Sequence, residues 1–332
     1  MSKQNFKIIT GNSHPKLVEA IAHHLGVNVA DCQVTYFANG EARTVFKEGI
    51  RGFDVFVVQT GILTEKHTLN DHVLETLLLI GACKRAGVKS ITLVMPHYPY
   101  ARQDKKDSVR AGISASLMTS LYVTAGATAL VSVDLHNACI QGFTSQPFHN
   151  LYASIVLKDY LQKELFYDKN YQQKFVAISP DEGGFKRANK YAELFKLPVL
   201  TLTKKRDYSK KNHVSKSIIL GDTEKYLRGK TAIIIDDMVD TGGTMVSTVE
   251  ELTKFGAKDV IVVVTHGLFS GPCLERMNNC EHISRIYTSD TVPQENNVKI
   301  CPKIKVYSCS RLLATVIERL MTGESVSRLF EF

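Results

Sequence analysis

Residues 231–244 read TAIIIDDMVDTGGT, and the fold follows from how such a stretch has to be built. The apolar, β-branched run Ala232–Ile235 predicts a buried strand, and it ends in two adjacent carboxylates, Asp236 and Asp237. A short loop carrying Asp240, Thr241, Gly242 and Gly243 then opens a helix at Thr244. In a parallel α/β sheet, ligands sit at the carboxyl ends of strands, where helix N-termini point inward. Small residues there let backbone N–H groups approach a phosphate, and the helix dipole favours the anion. The acid pair would repel a phosphate, so it suits vicinal sugar hydroxyls, directly or through a metal. The stretch reads as a site for a phosphorylated pentose. An ordinary strand–turn–helix with an acidic turn facing solvent is the plainer alternative. Three acids, two glycines and two threonines within nine residues argue against it. The chain has no Gly-x4-Gly-Lys-Ser/Thr loop and no Gly-x-Gly-x-x-Gly, so neither a Walker A site nor a Rossmann dinucleotide site is expected.

Working outward, the same rhythm of helix, glycine and short strand recurs. Asp71–Ala86 stops at Gly87 and leads into Ile91–Met95; Ser114–Ala125 stops at Gly126 and leads into Ala129–Val133. Thr244–Phe255 stops at Gly256 and leads into Val260–Thr265. Nearly continuous apolar strands in this setting predict mostly parallel sheets covered on both faces. The third copy follows an amphipathic helix near Leu151–Leu161 and a polar stretch, so two similar α/β domains are expected. Their bounds are read as 1–157 and 158–308, with 309–332 a closing helix that can return to the N-terminal domain.

A length of 332 residues suits two cores better than one. No apolar run approaches a membrane span, and Met1–Phe6 holds no apolar leader, so neither membrane nor secretory targeting is expected. Seven cysteines form no Cys-x-x-Cys pair and read as reduced thiols of a cytoplasmic protein. The net charge of +8 concentrates in Arg102–Arg110 and Lys204–Lys216. There is no tryptophan and neither run is interleaved with several aromatics, which disfavours a nucleic-acid platform and favours phosphorylated small molecules.

The 231–244 stretch resembles the 5-phosphoribosyl-1-pyrophosphate motif of type I phosphoribosyltransferases and ribose-phosphate pyrophosphokinases. Further segments point to the pyrophosphokinases: FANGE at 37–41, PYARQDKKD at 99–107, DLH at 134–136, IQG at 140–142, SPD at 179–181, HGLFSGP at 266–272 and GESV at 323–326. The resemblance runs from about residue 6 to 330. It implies two phosphoribosyltransferase-like α/β domains, each with a mostly parallel sheet flanked by helices. It also implies transfer of the pyrophosphoryl group of Mg-ATP to the 1-hydroxyl of ribose 5-phosphate, with Mg2+ as cofactor and AMP released.

The same resemblance assigns residues. Phe37, Asn39 and Glu41 would hold the adenine, a stretch that alone reads equally well as a hairpin turn. Arg102, Gln103, Asp107 and His136 would meet ATP, the arginine because its planar fork binds two oxygens. Asp134, His136 and Asp181 would serve the metal, with Asp134 and His136 expected on one side of their strand, two residues apart. Asp181, Arg206, Asp236, Asp237, Asp240, Thr241, Gly242, Gly243 and Thr244 would bind ribose 5-phosphate. Lys204 and Arg206, on a polar loop just after the strand Val199–Thr203, would stabilise the transition state together with His136. Arg51, Arg110, Gln141 and Asn150 match positions tied to ADP and phosphate regulation, and a homo-oligomer (a hexamer built of dimers) is implied.

Departures from the family pattern are also legible. Ser145 and His149 stand where carboxylates are usual, Glu182 and Phe185 where smaller residues are usual, and Gly49, Ala138 and Cys139 differ in the regulatory segments. Ser145, His149 and Glu182 keep a catalytically weak, synthetase-associated subunit open as an alternative. A phosphoribosyltransferase is a further alternative, which would leave the ATP-type segments unused.

Overall fold

The computed structural model describes residues 5–106, 108–206 and 215–330, with backbone alone for 204–206 and 215–217. Asp107 lies outside the described residues. In chain order the elements are β1 (Phe6–Thr10), α1 (Pro15–Leu25), β2 (Cys32–Tyr36), β3 (Ala42–Phe46), β4 (Asp54–Val58), α2 (Leu69–Ala86), β5 (Ser90–Met95), α3 (Ser114–Ala125), β6 (Ala129–Val133) and β7 (Phe148–Leu151). They continue with α4 (Ser154–Glu164), α5 (Tyr171–Lys174), β8 (Phe175–Ser179), α6 (Phe185–Phe195), β9 (Val199–Arg206), β10 (Ser215–Leu220), α7 (Thr223–Tyr226), β11 (Thr231–Val239) and α8 (Gly243–Lys254). The last are β12 (Asp259–Gly267), α9 (Cys273–Asn279), β13 (Ile283–Ser289), α10 (Glu295–Ile300), β14 (Ile304–Tyr307) and α11 (Ser310–Thr322).

The chain divides into two compact units, Met1–Ala153 with Ser308–Phe332, and Ser154–Tyr307. In the first, five strands run parallel in the order β1-β4-β5-β6-β7, while β2 and β3 form a separate antiparallel hairpin. Val55, Val57, Leu93 and Leu130 lie in its core, as expected for strands covered on both faces. The closing helix α11 packs on α1 of this unit. In the second, seven strands run β10-β9-β8-β11-β12-β13-β14, all parallel except the edge strand β10. Its core gathers Ile234, Val262, Val264 and Ile286. Both units are α/β, as the pattern predicts.

Three of the differences from the sequence reading have a cause in capping or strand pairing. Helix α2 begins at Leu69, because Thr68 and Asp71 form a capping box in which each side chain accepts the other's backbone N–H. Strand β11 continues past Ile235 to Val239, since β12 pairs it through Asp236↔Val264 and Val239↔Gly267 while β8 stops at Ile234. Strand β9 continues through Arg206, because β10 pairs back on it with Ser217↔Lys204 and Ser215↔Arg206. Lys204 and Arg206 therefore stand on a strand and not on a loop beyond it.

Candidate active site

In the second unit, β11 delivers Asp236 and Asp237 to the carboxyl edge of the sheet, and α8 starts four residues after Val239. The turn between them depends on Gly242. It sits at φ +74, and a Cβ there would come 2.8 Å from Cys273 Sγ, so both conformation and space call for glycine. Arg276 of α9 fastens the turn from outside, its Nη1 donating to the Thr241 carbonyl at 3.1 Å. Thr241, Gly243 and Thr244 are exposed, as a phosphate-binding turn requires. The first N–H groups of a helix such as α8 have no carbonyl four residues back to bond, and they favour an anion.

The acid pair has a partner that sequence reasoning missed. Arg187, at the start of α6, places Nη1 3.0 Å from Asp237 Oδ1 and 3.5 Å from Asp236 Oδ1. Fifty residues separate them in the chain, and nothing in Phe185-Lys-Arg-Ala188 singles out that arginine. Burial, and then the neighbouring charge of Asp237, push the Asp236 carboxyl well above the ordinary carboxylate range. The pair, held by one guanidinium, presents carboxyl oxygens that can accept from vicinal hydroxyls.

Asp181 and Glu182 occupy the β8–α6 loop, both exposed. Asp181 Oδ1 accepts the Gly184 N–H at 2.7 Å, and Ser179 Oγ donates to the Asp181 carbonyl at 2.6 Å, which fixes the loop. Glu182 Oε1 accepts the Thr203 hydroxyl at 2.5 Å, one residue before Lys204 on β9. The unusual carboxylate is therefore tied to the strand bearing Lys204 and Arg206.

In the first unit, Phe37, Asn39 and Glu41 lie on the turn of the β2–β3 hairpin, all exposed. Phe37 N–H donates to the Glu41 carbonyl at 2.9 Å, the Asn39 side chain accepts the Glu41 N–H, and Gly40 takes φ +89. The two readings of this stretch are compatible: it is a hairpin, and its turn presents an aromatic face with Arg43 6.0 Å from the ring centre.

Arg102 and Gln103 follow β5, and both are exposed. Gln103 is held against the start of α3 by a hydrogen bond from Ser114. Asp104 accepts from Asn137 Nδ2 at 2.6 Å, which joins this loop to the segment containing His136. His136 is exposed, whereas Asp134 is 4% exposed and its Oδ2 accepts the Ala153 N–H at 3.1 Å. The expectation that both side chains share one face is corrected by the backbone. At Asp134 φ is +42, so strand alternation stops before His136.

Among the described residues no cluster of three or more His, Cys, Asp or Glu can hold a metal. Magnesium commonly arrives on substrate phosphates, keeping waters and taking only one or two protein ligands. The exposed His136 and the exposed carboxylate of Asp181 fit that role; the inward Asp134 does not.

The four positions that the resemblance ties to regulation are all described. Arg51 and Arg110 are exposed, while Gln141 Oε1 accepts the Asn150 N–H at 3.3 Å and Asn150 Oδ1 accepts the Leu135 N–H at 3.0 Å. His149 pairs with Val131 across β6 and β7, and burial lowers its pKa.

Residues 6–126 match the family model described as the N-terminal domain of ribose phosphate pyrophosphokinase, and residues 217–331 match the phosphoribosyl synthetase-associated domain. The chain is 40% identical over 330 residues to ribose-phosphate pyrophosphokinase 2 of Saccharomyces cerevisiae, covering 99% of this chain and 98% of that protein. It is 38% identical over 330 residues to ribose-phosphate pyrophosphokinase 2 of Schizosaccharomyces pombe, with the same coverage, 99% and 98%. The crystal structure of phosphoribosylpyrophosphate synthetase from Mycobacterium smegmatis aligns with a TM-score of 0.86 at 37% identity, covering 96% of this chain and 99% of that one.

Proposed function

The chain belongs to the ribose-phosphate pyrophosphokinase family and is a ribose-phosphate diphosphokinase that forms 5-phosphoribosyl 1-pyrophosphate, and from that premise we propose how its residues share the work. The turn from Asp240 to Thr244 and the N-terminus of α8 bind the 5-phosphate. Asp236 and Asp237, steadied by Arg187, receive the ribose hydroxyls. Phe37 stacks on adenine, Asn39 and Glu41 meet its polar edge, Arg102 and Gln103 hold the triphosphate, and Asp107 belongs to the same ATP-binding set.

The 1-hydroxyl of the sugar attacks the β-phosphorus of ATP, the bond to the α-phosphate oxygen breaks, and AMP leaves. Positioning and charge neutralisation dominate such a transfer. Lys204 and Arg206 stabilise the charge that grows on the leaving and bridging oxygens. Mg2+ would supply further neutralisation of that charge, with His136 meeting it on bound ATP and Asp181 meeting it on bound ribose 5-phosphate. Asp134 orders the backbone beneath His136 by accepting the Ala153 N–H.

The observation that carries this reading is the acid pair with its guanidinium beside a glycine-dependent helix start, which suits a sugar hydroxyl set next to a phosphate. Mg-ATP and ribose 5-phosphate incubated with purified protein should yield AMP, and Lys204→Ala should lower kcat about a hundredfold or more while the protein stays folded. Full turnover in Lys204→Ala would remove the role given to that lysine. We further propose a cytoplasmic homo-oligomer, a hexamer built of dimers, with ADP and phosphate acting through Arg51, Arg110, Gln141 and Asn150. A phosphate titration with a flat rate response would remove the regulatory part.

A further inference from the structure

We infer that Glu75, far from the reacting groups in sequence and without substrate contact of its own, is the positioning residue that sets the adenine-holding turn at Phe37–Glu41. Glu75 lies on α2 and is fully buried. A buried carboxylate is costly unless its oxygens are saturated with donors, and here they come from three segments outside α2, with His72 of α2 itself close by. Tyr36 Oη donates to Oε1 at 2.6 Å, Asn12 Nδ2 to Oε1 at 2.8 Å, Gln59 Nε2 to Oε2 at 2.7 Å and the Asn12 N–H to Oε2 at 3.2 Å, while His72 Nδ1 stands 3.3 Å from Oε2.

The connections lead to the hairpin. Tyr36 immediately precedes Phe37, and its ring stacks on His67 at 4.4 Å between centroids. Asn12 reaches the same strand a second time, its Nδ2 donating to the Val34 carbonyl at 3.2 Å. The β2–β3 hairpin has no strand partner in the five-stranded sheet, and a lone two-stranded hairpin is marginal in water. Its direction is therefore set by side-chain anchoring: Cys32, Val34 and Phe46 pack on the core, and Glu75 is the acceptor shared by the polar anchors Tyr36 and Asn12. Gln59 completes the hub from the end of β4. It accepts both the N–H and the hydroxyl of Ser13, and its approach depends on Gly11, where a Cβ would meet the Gln59 side chain at 2.4 Å.

The inference rests on the reading of Phe37 as the adenine face, so the test separates the two. Steady-state KM for ATP and for ribose 5-phosphate, and kcat, are measured in Phe37→Ala, Tyr36→Phe and Glu75→Gln. Tyr36→Phe removes one hydroxyl from the hub and keeps the ring stacked, so it remains informative should Glu75→Gln fail to fold. Tyr36→Phe should raise KM for ATP about threefold to tenfold, with kcat and KM for ribose 5-phosphate unchanged. Glu75→Gln, which turns an acceptor toward its donors as an amide, should raise KM for ATP more than Tyr36→Phe does. A merely structural role would lower the active fraction and leave KM alone. If Phe37→Ala raises KM for ATP and folded Tyr36→Phe does not, the positioning role is overturned. If Phe37→Ala also leaves KM for ATP unchanged, the adenine reading falls and takes the inference with it.

Discussion

Arg187 and Asp237 form an ion pair of 3.0 Å in which the carboxylate is 3% exposed, and the same guanidinium nitrogen lies 3.5 Å from Asp236. One cation thus holds together an acid pair that would otherwise repel itself at the edge of the sheet. Arg187→Ala should cost about 3 kcal/mol of stability, because it leaves a buried charge unpaired. Denaturant melts check this, and Arg187→Ala/Asp237→Asn should recover part of the loss. KM for ribose 5-phosphate should rise in the single variant.

The carboxylate of Glu182 is exposed beside Asp181 and tied to Thr203. Adjacent to Asp181, one of the residues proposed to bind ribose 5-phosphate, it adds negative charge where an anionic substrate is bound, so Glu182→Ala should lower KM for ribose 5-phosphate by about twofold to threefold. Thr203→Val removes the hydrogen bond without changing charge, and it should leave that KM unchanged while lowering kcat through a looser β9. Initial-rate kinetics on both variants distinguish the charge from the tether.

Gly242→Ala forces a side chain into φ +74 and against Cys273 Sγ at 2.8 Å. The left-handed backbone alone should cost about 1–2 kcal/mol. Adding Cys273→Ala should relieve the contact and leave the backbone cost, so thermal melts should show partial recovery in the double variant. Full recovery would mean that conformation at Gly242 is unimportant.

Stability against acid should depend on Glu75. Burial alone would raise its pKa, but hydrogen bonds from His72, Tyr36 and Asn12 outweigh it and hold the carboxylate at about 2, below its ordinary 4.5. A lowered folded pKa means that the contribution is complete above about 4.5 and is lost as pH falls toward about 2. Glu75→Gln should therefore flatten the fall in unfolding free energy across that interval, with His72 and Tyr36 the titratable groups facing the site. An unchanged slope would show that the hub does not discriminate the ionised form.

The parts of the fold with a local cause were legible in the chain. Gly87 and Gly126 mark helix ends, apolar runs such as Ala129–Val133 mark covered strands, and the acids and glycines of 236–244 mark a strand-end turn. What escaped depends on contacts between distant segments. The length of β9 is set by β10, and the inward turn of Asp134 is set by a positive φ that no residue pattern announces. Arg187 reaches its acids from fifty residues away, and Glu75 sits on a helix as one acid among apolar neighbours. Its donors come from the β1–α1 loop, from β2, from the end of β4 and from its own helix, and their meeting point is a property of the folded unit.

Binding of the 5-phosphate at the turn before α8 is what the whole assignment of residues depends on. The most direct test is KM for both substrates in Thr244→Val, which removes a hydroxyl donor at nearly constant volume. The account predicts that KM for ribose 5-phosphate rises about tenfold while KM for ATP stays within about twofold. An unchanged KM for ribose 5-phosphate, or a rise confined to ATP, would contradict it.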